Sequence, residues 1–380
     1  MTITSLWKNF SCAGGACQNT CCAGWNIPVS NEDIQHFSSL AKNDYQSILK
    51  NIDTENGFMR LHDGRCPFLT DENLCQIILD HGEDYPGETC RLFPRQINYF
   101  GEHIECSVRA SCPHVVLELL EKKRIMVLYN TSCATKKITE DDKADINNYL
   151  PYLKLRDFLI ASFQAADGYM AGKIWLLLQL SSDVEEMISN ENLASATADN
   201  LINDYANQYK NILNECEKVT RNSSRVIDTI IYYYKRFCGA INKNKAEKYT
   251  PDLFSDFKYW EQNRSDFEAV LNELYEIIHN DYPLFFENYF INEIFLNWNA
   301  SDNNFFLENL YSAIVKCMLF FFLMLSALFH NKSIEKDWLS KMVSDIDRDF
   351  SHNQETRHQI GKSLADSCNN TYCVPWIFPF

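Results

Sequence analysis

The pattern of polar and apolar positions gives this chain two textures. From Leu150 onward, apolar residues return every three or four positions in long runs separated by Asn-, Asp- and Lys-rich breaks. That pattern predicts helices at about 150–166, 172–190, 193–216, 224–240, 264–280, 284–298, 303–330, 335–350 and 355–367. Nearer the start, helical spacing occurs in two places. Ser30-Asn-Glu-Asp33 reads as a capping sequence ahead of Ile34, Phe37, Leu40, Ala41, Tyr45, Ile48 and Leu49, so a first helix starts near Asn31. Pro113 suits a first helical position ahead of Val115, Val116, Leu119 and Leu120. Between Gly57 and Cys112 the periodicity disappears and Gly and Pro recur, which favours loops and short strands. Residues 96–100 and 104–108 alternate around Gly101-Glu-His103 and predict a hairpin.

The expected fold is therefore mainly α: a loop-rich, cysteine-bearing module with a small β-hairpin, packed on a multi-helix domain. The polar segment 136–145 marks the junction, which divides the chain into 1–135 and 136–380. The apolar stretch 317–329 is 13 residues long, short of the roughly 20 a spanning helix needs, so it predicts a buried helix and no membrane segment. The closing residues 372–380 are too apolar for solvent and are expected to dock on the core or on a second subunit.

Composition narrows the class. A 380-residue chain that is 46% hydrophobic and 13% aromatic can bury a large core, which excludes a disordered or disulfide-miniature protein. Its 35 basic and 51 acidic side chains leave a charge of −16, which disfavours a nucleic-acid backbone and suits a cationic partner.

The cysteines change the picture most. Ten of the 15 precede residue 134. The first 15 residues carry one Lys and no apolar run, so no secretory signal is expected, the location is expected to be cytoplasmic, and the thiols should stay reduced. Clustered cysteines in that setting read as metal or iron–sulfur ligands before disulfides. The first group is Cys12-x4-Cys17-x3-Cys21-Cys22, followed by Gly24-Trp25; four thiols in a tight Gly-containing loop can converge on one centre. The second is Arg65-Cys66-Pro-Phe-Leu69, Leu74-Cys75, Cys90-Arg-Leu-Phe-Pro94-Arg95 and Ser111-Cys112-Pro113. Their Pro, Leu and Phe neighbours would give a cluster a dry surround. Arg95 places a fixed cation near the thiolates, able to offset their charge or clamp a carboxylate.

Zinc remains an alternative to an iron–sulfur cluster on these residues alone. The chain has no phosphate-binding loop, no G-x-S-x-G elbow, no H-E-x-x-H and no Gly-rich strand-to-helix nucleotide loop. Gly24 stands where the radical adenosylmethionine spacing would need a cysteine, and none of His62, His81, His103 and His114 has a compelling ligand spacing. Two other functional classes fit the same features: a metal-stapled helical interaction module without catalytic activity, and an electron-transfer protein.

The ordered motifs at residues 10–25, 65–75, 90–95 and 111–113 resemble those of the flagellin lysine-N-methylase family. The helical remainder agrees in length and character, including Glu287-Asn288-Tyr289 and the apolar helix after it. The resemblance implies S-adenosylmethionine-dependent N-methylation of surface lysines on flagellin, with an iron–sulfur cluster of the four-iron type. It places Cys12, Cys17, Cys21, Cys22, Cys66, Cys75, Cys90 and Cys112 at the family's cysteine positions, and neither Cys106 nor Cys133. Eight cysteines exceed one four-iron cluster, which leaves either supporting residues or a second metal. Trp25 and Arg95 are the candidate cofactor contacts; no catalytic base is assigned.

Overall fold

The computed structural model describes residues 1–100, 103–129, 150–165, 170–189, 195–220, 228, 230, 252–298 and 306–351. The expected helix at 224–240, apart from Asp228 and Ile230, the expected helix at 355–367 and the apolar ending 372–380 lie outside these residues. Mainly helical architecture with a small sheet is what the described chain shows.

The first half is built from short pieces. Strand β1 (Thr2–Thr4) leads into helix α1 (Ser5–Asn9), and α2 (Asn31–Phe37) and α3 (Lys42–Leu49) follow. Helix α2 starts where the capping sequence predicts: Ser30 Oγ accepts from Asp33 N and the Asp33 carboxylate accepts from Ser30 N. The apolar spacing continues to Leu49, yet the helix stops at Phe37. The Ser38 and Ser39 hydroxyls donate back to the carbonyls of Gln35 and His36, a local alternative that competes with helix propagation. Strands β2 (Ile52–Asp53) and β3 (Phe58–Met59) pair, and one-turn helices α4 (Gln76–His81) and α5 (Glu88–Leu92) complete the loop-rich section.

The predicted hairpin is present as β4 (Arg95–Phe100) and β5 (His103–Val108), in register from Arg95 opposite Val108 to Phe100 opposite His103. It belongs to a larger mixed sheet. The N-terminal β1 lies parallel to β5, and β6 (Val127–Leu128) closes the other side of β1, giving the order β4-β5-β1-β6. Helix α6 (Pro113–Leu119) has Pro at its first turn, as expected.

Beyond it run α7 (Leu150–Ala165), α8 (Met170–Ser189), α9 (Ser195–Thr220), α10 (Leu253–Gln262), α11 (Arg264–Asp281), α12 (Phe285–Asn297), α13 (Phe306–Phe329) and α14 (Lys336–Ser351). Helix α13 is longer than the 13-residue stretch that the apolar run suggests. Its span Asn309–Phe329 covers 21 residues at a mean hydropathy of 2.2, long and apolar enough to cross a membrane by length and composition, and nearly all of it is buried inside the protein. The sequence count stopped at Lys316, but that lysine is itself buried and paired. Helix α12 is buried on every side, with Glu287, Asn288, Asn292 and Glu293 among its aromatics. These polar groups tie the small sheet to the helices. Asn292 accepts from Ser107 Oγ and donates to Val108 O, Asn288 accepts from Ile125 N, and Glu287 pairs with Arg124 and Lys173.

Candidate metal centre

The eight family-position cysteines lie on the loops and short helix ends of the first 112 residues, some of them linked through their backbones. Gly14 (φ +54) turns the chain after Cys12, and a side chain at Gly15 would come within 2.7 Å of Glu72 O, so this loop lies directly against the segment leading to Cys75. Cys12 is exposed and its sulfur accepts from Gly14 N at 3.4 Å; Cys17, Cys21, Cys22, Cys66 and Cys75 are half-buried. Cys66 N donates to Cys22 O at 2.8 Å, and Leu69, bonded to Cys66 O, forms a bridge with Cys75. Cys75 and Cys112 sit at the N-termini of α4 and α6, and Cys90 lies in α5.

Two side chains from distant parts of the sequence shape this region. The Arg348 guanidinium, on α14, donates to the carbonyls of Asn19, Thr20, Ala23 and Ser111 at 3.1–3.3 Å. It thereby fastens the Cys21-Cys22 loop to the turn that carries Cys112. Asp33, beyond capping α2, accepts from Glu88 N at 2.7 Å and so holds the start of the Cys90 helix.

The thiols are electrostatic neighbours. Cys21 and Cys22 share a hydrogen bond that pushes the Cys21 thiol up and brings Cys22 down to about 7, with Thr20, Arg348 and Arg65 adding to the fall. Desolvation raises Cys66 to about 12 and Cys112 to about 11, and also lifts Cys75 and Cys90. Cys66, Cys75 and Cys90 are each raised further by the charge of Cys22, whereas Cys112 is raised further by Cys17 and Cys12. The Cys21 thiol is raised further by the charges of Cys22, Cys90 and Cys112.

Among the described residues no three His, Cys, Asp or Glu side chains stand close enough to hold a metal ion. The chemistry of the donors nonetheless fits zinc or an iron–sulfur cluster: all are soft sulfurs, and together they cannot all ionise without a cation among them. Cys106 differs. It is wholly buried in β5, packs with Ile3 and Ile104, and points its S–H at Met1 Sδ, as a core residue does. Cys133 lies outside the described residues. Of the histidines, His103 pairs with Glu105 at 3.0 Å and His81 lies 3.9 Å from Asp44.

The two candidate cofactor contacts have different neighbours. Trp25 donates its indole N–H to Cys21 O at 2.6 Å and packs against Phe93. The Arg95 guanidinium lies over the rings of Phe10 and Trp7, 5.0 and 5.8 Å from their centroids. Motif reading missed Arg348 and Asp33. Arg348 has no local signal, since its partners lie more than 230 positions away.

Two family models match the chain. Residues 156–374 match the FliB lysine N-methylase C-terminal domain, and residues 11–115 match the CxxCxxCC family, described as a proposed zinc- or iron-chelating domain. Lysine-N-methylases of Salmonella choleraesuis and Salmonella typhimurium are 27% identical over 137 residues, 34% of this chain and 34% of each relative. The flagellar biosynthetic protein FliU of Salmonella muenchen is 27% identical over 137 residues, covering 81% of that protein. The chain thus spans about a third of the length of the two lysine-N-methylases it matches. No solved structure matches. With more than half of its length on the C-terminal domain model, the chain belongs to the FliB lysine N-methylase family.

Proposed function

We propose that this protein is a cytoplasmic protein-lysine N-methyltransferase that methylates surface lysines of flagellin with S-adenosylmethionine as donor. The family match over residues 156–374 carries the reading, and relatives named lysine-N-methylase and flagellar biosynthetic protein support it. The metal ligands are drawn from Cys12, Cys17, Cys21, Cys22, Cys66, Cys75, Cys90 and Cys112, which hold an iron–sulfur cluster of the four-iron type. Such a cluster, when bound, would supply positive charge that keeps its ligating thiols ionised.

The remaining work falls to side chains. A neutral lysine attacks the donor's methyl carbon, the carbon–sulfur bond breaks with its electrons going to sulfur, and the nitrogen loses a proton. Lysine has a reference pKa of about 10.4, so the acceptor pocket must be desolvated or hold a proton acceptor. Arg95, over the Phe10 and Trp7 rings, is suited to the donor's carboxylate, and the Trp25 ring to its cationic sulfonium.

The test is incubation of the metal-loaded chain with flagellin and methyl-labelled S-adenosylmethionine, followed by hydrolysis and amino-acid analysis. Label in N-methylated lysine is expected. A folded, metal-loaded chain that transfers none contradicts the proposal and leaves the cysteines as a staple on a helical interaction domain.

A further inference from the structure

Deep in the helical body, Lys316 of α13 is buried and bonds Glu293 Oε2 at 2.6 Å and Asp347 Oδ1 at 2.8 Å. Asp347 also accepts from the hydroxyls of Ser111 and Tyr289. Two carboxylates face one ammonium here, so the group carries a net charge of −1 in an apolar interior. A buried charge of that kind is costly unless a further cation meets it. Arg348, next in sequence to Asp347, does not supply it; its guanidinium bonds backbone carbonyls.

The other oxygen of Glu293, Oε1, is buried and has no hydrogen-bond partner. Glu293 lines a cavity of about 20 Å³, together with Ile294, Asn297, Trp298, Asn309, Leu310 and Ala313. That is room for one group the size of a water molecule or an ammonium head. The walls are mainly apolar, and the Trp298 ring is fixed by its N–H bond to Tyr152 O at 3.0 Å. A metal ion would find too few oxygens here, whereas an ammonium on an aliphatic stem matches both the walls and the single free carboxylate oxygen.

We propose that this slot receives the ammonium head of the acceptor lysine, with the Glu293 carboxylate first as its counter-ion and then as the acceptor of the proton it must lose before attack. The assignment of the amine to a substrate lysine rests on the methyltransferase reading; the amine site itself rests on the slot.

The test uses the full-length, metal-loaded chain and n-butylamine as the probe, followed by calorimetry or ligand-observed NMR, with butan-1-ol and butyrate as controls. Two variants accompany it: Glu293→Gln removes the charge, and Ala313→Leu fills the slot without touching the Lys316 pairs. Butylammonium binding to the wild type, weakened at least about tenfold in whichever variants fold and not competed by the two controls, is expected. No binding to the wild type, or unchanged affinity in a folded variant, overturns the proposal. The two readings fail separately. Methyl transfer with unchanged KM for flagellin in both variants refutes the slot alone, while variant-sensitive amine binding by a chain that transfers no methyl refutes the methyltransferase reading alone.

Discussion

The helical body and the cysteine region solve the same folding problem with different means. The body joins α7 to α14 with α6 and the strand end at Val108 in one continuous core, in which Phe163, Phe267, Phe290, Phe320, Phe321 and Phe322 are fully buried. The cysteine region has seven buried apolar side chains of its own: Ile27, Val29, Phe37, Ile48, Ile52, Met59 and Ile77. A core that small cannot offset the chain entropy of so many loops. The difference teaches that the second region needs support beyond its apolar side chains: the Arg348 clasp and the Asp33 brace supply part of it, and a metal on the thiols is proposed to supply the rest.

The sharpest way to break this contrast is to take the metal away. Chelation should speed amide exchange across residues 12–90 by at least about tenfold while α12 and α13 keep their protection, because metal binding is folding free energy for one region only. Equal loosening of both regions would erase the distinction.

Next in size is the buried charge group. Lys316→Met leaves Asp347 and Glu293 without their cation and should cost about 3–5 kcal/mol in denaturant unfolding. Its pH signature has a definite sign. Burial alone would raise the Asp347 pKa, but Lys316, Ser111 and Tyr289 hold it below its ordinary 3.8. A lowered folded-state pKa contributes stability that is present above 3.8 and lost as acid is added below it. The variant should lose part of that acid dependence.

Arg348→Met removes the charged donor from four backbone carbonyls and should cost about 2–3 kcal/mol. Faster alkylation of Cys21 and Cys22 should accompany it, with no comparable change in exchange at α12. The smallest effect is expected at Asp33→Ala, about 1–2 kcal/mol from the lost carboxylate half of the α2 capping box and the lost bond to Glu88 N, read as earlier opening of the Cys90 segment.

Legibility in the sequence follows the same division. Helix α11 is read to within one residue and α12 to within one at each end, because long apolar periodicity and polar breaks are local signals. Helix α10 is missed although Leu253, Phe257 and Trp260 recur at spacings of four and three and are buried; ten residues hold a helix mainly through packing. Strand β1 is three residues long and exists through pairing with β5, a hundred positions away. Polar residues inside the apolar helices, Glu293 and Lys316 above all, were visible as anomalies and could have pointed to the buried charge group. The cysteines were legible as a set because their spacing and neighbours are local, but Arg348, which fastens two of their loops, was not.

The central claim is that the cysteine region is held by a metal on its family-position thiols. It is tested most directly by anaerobic purification with iron, sulfide and zinc analysis of the wild type beside a Cys22→Ser, Cys66→Ser variant. Iron and sulfide bound in the wild type and reduced in the variant is the expected result. A wild-type chain that carries neither iron nor zinc and whose cysteines all react with alkylating agent in the native state would contradict the account.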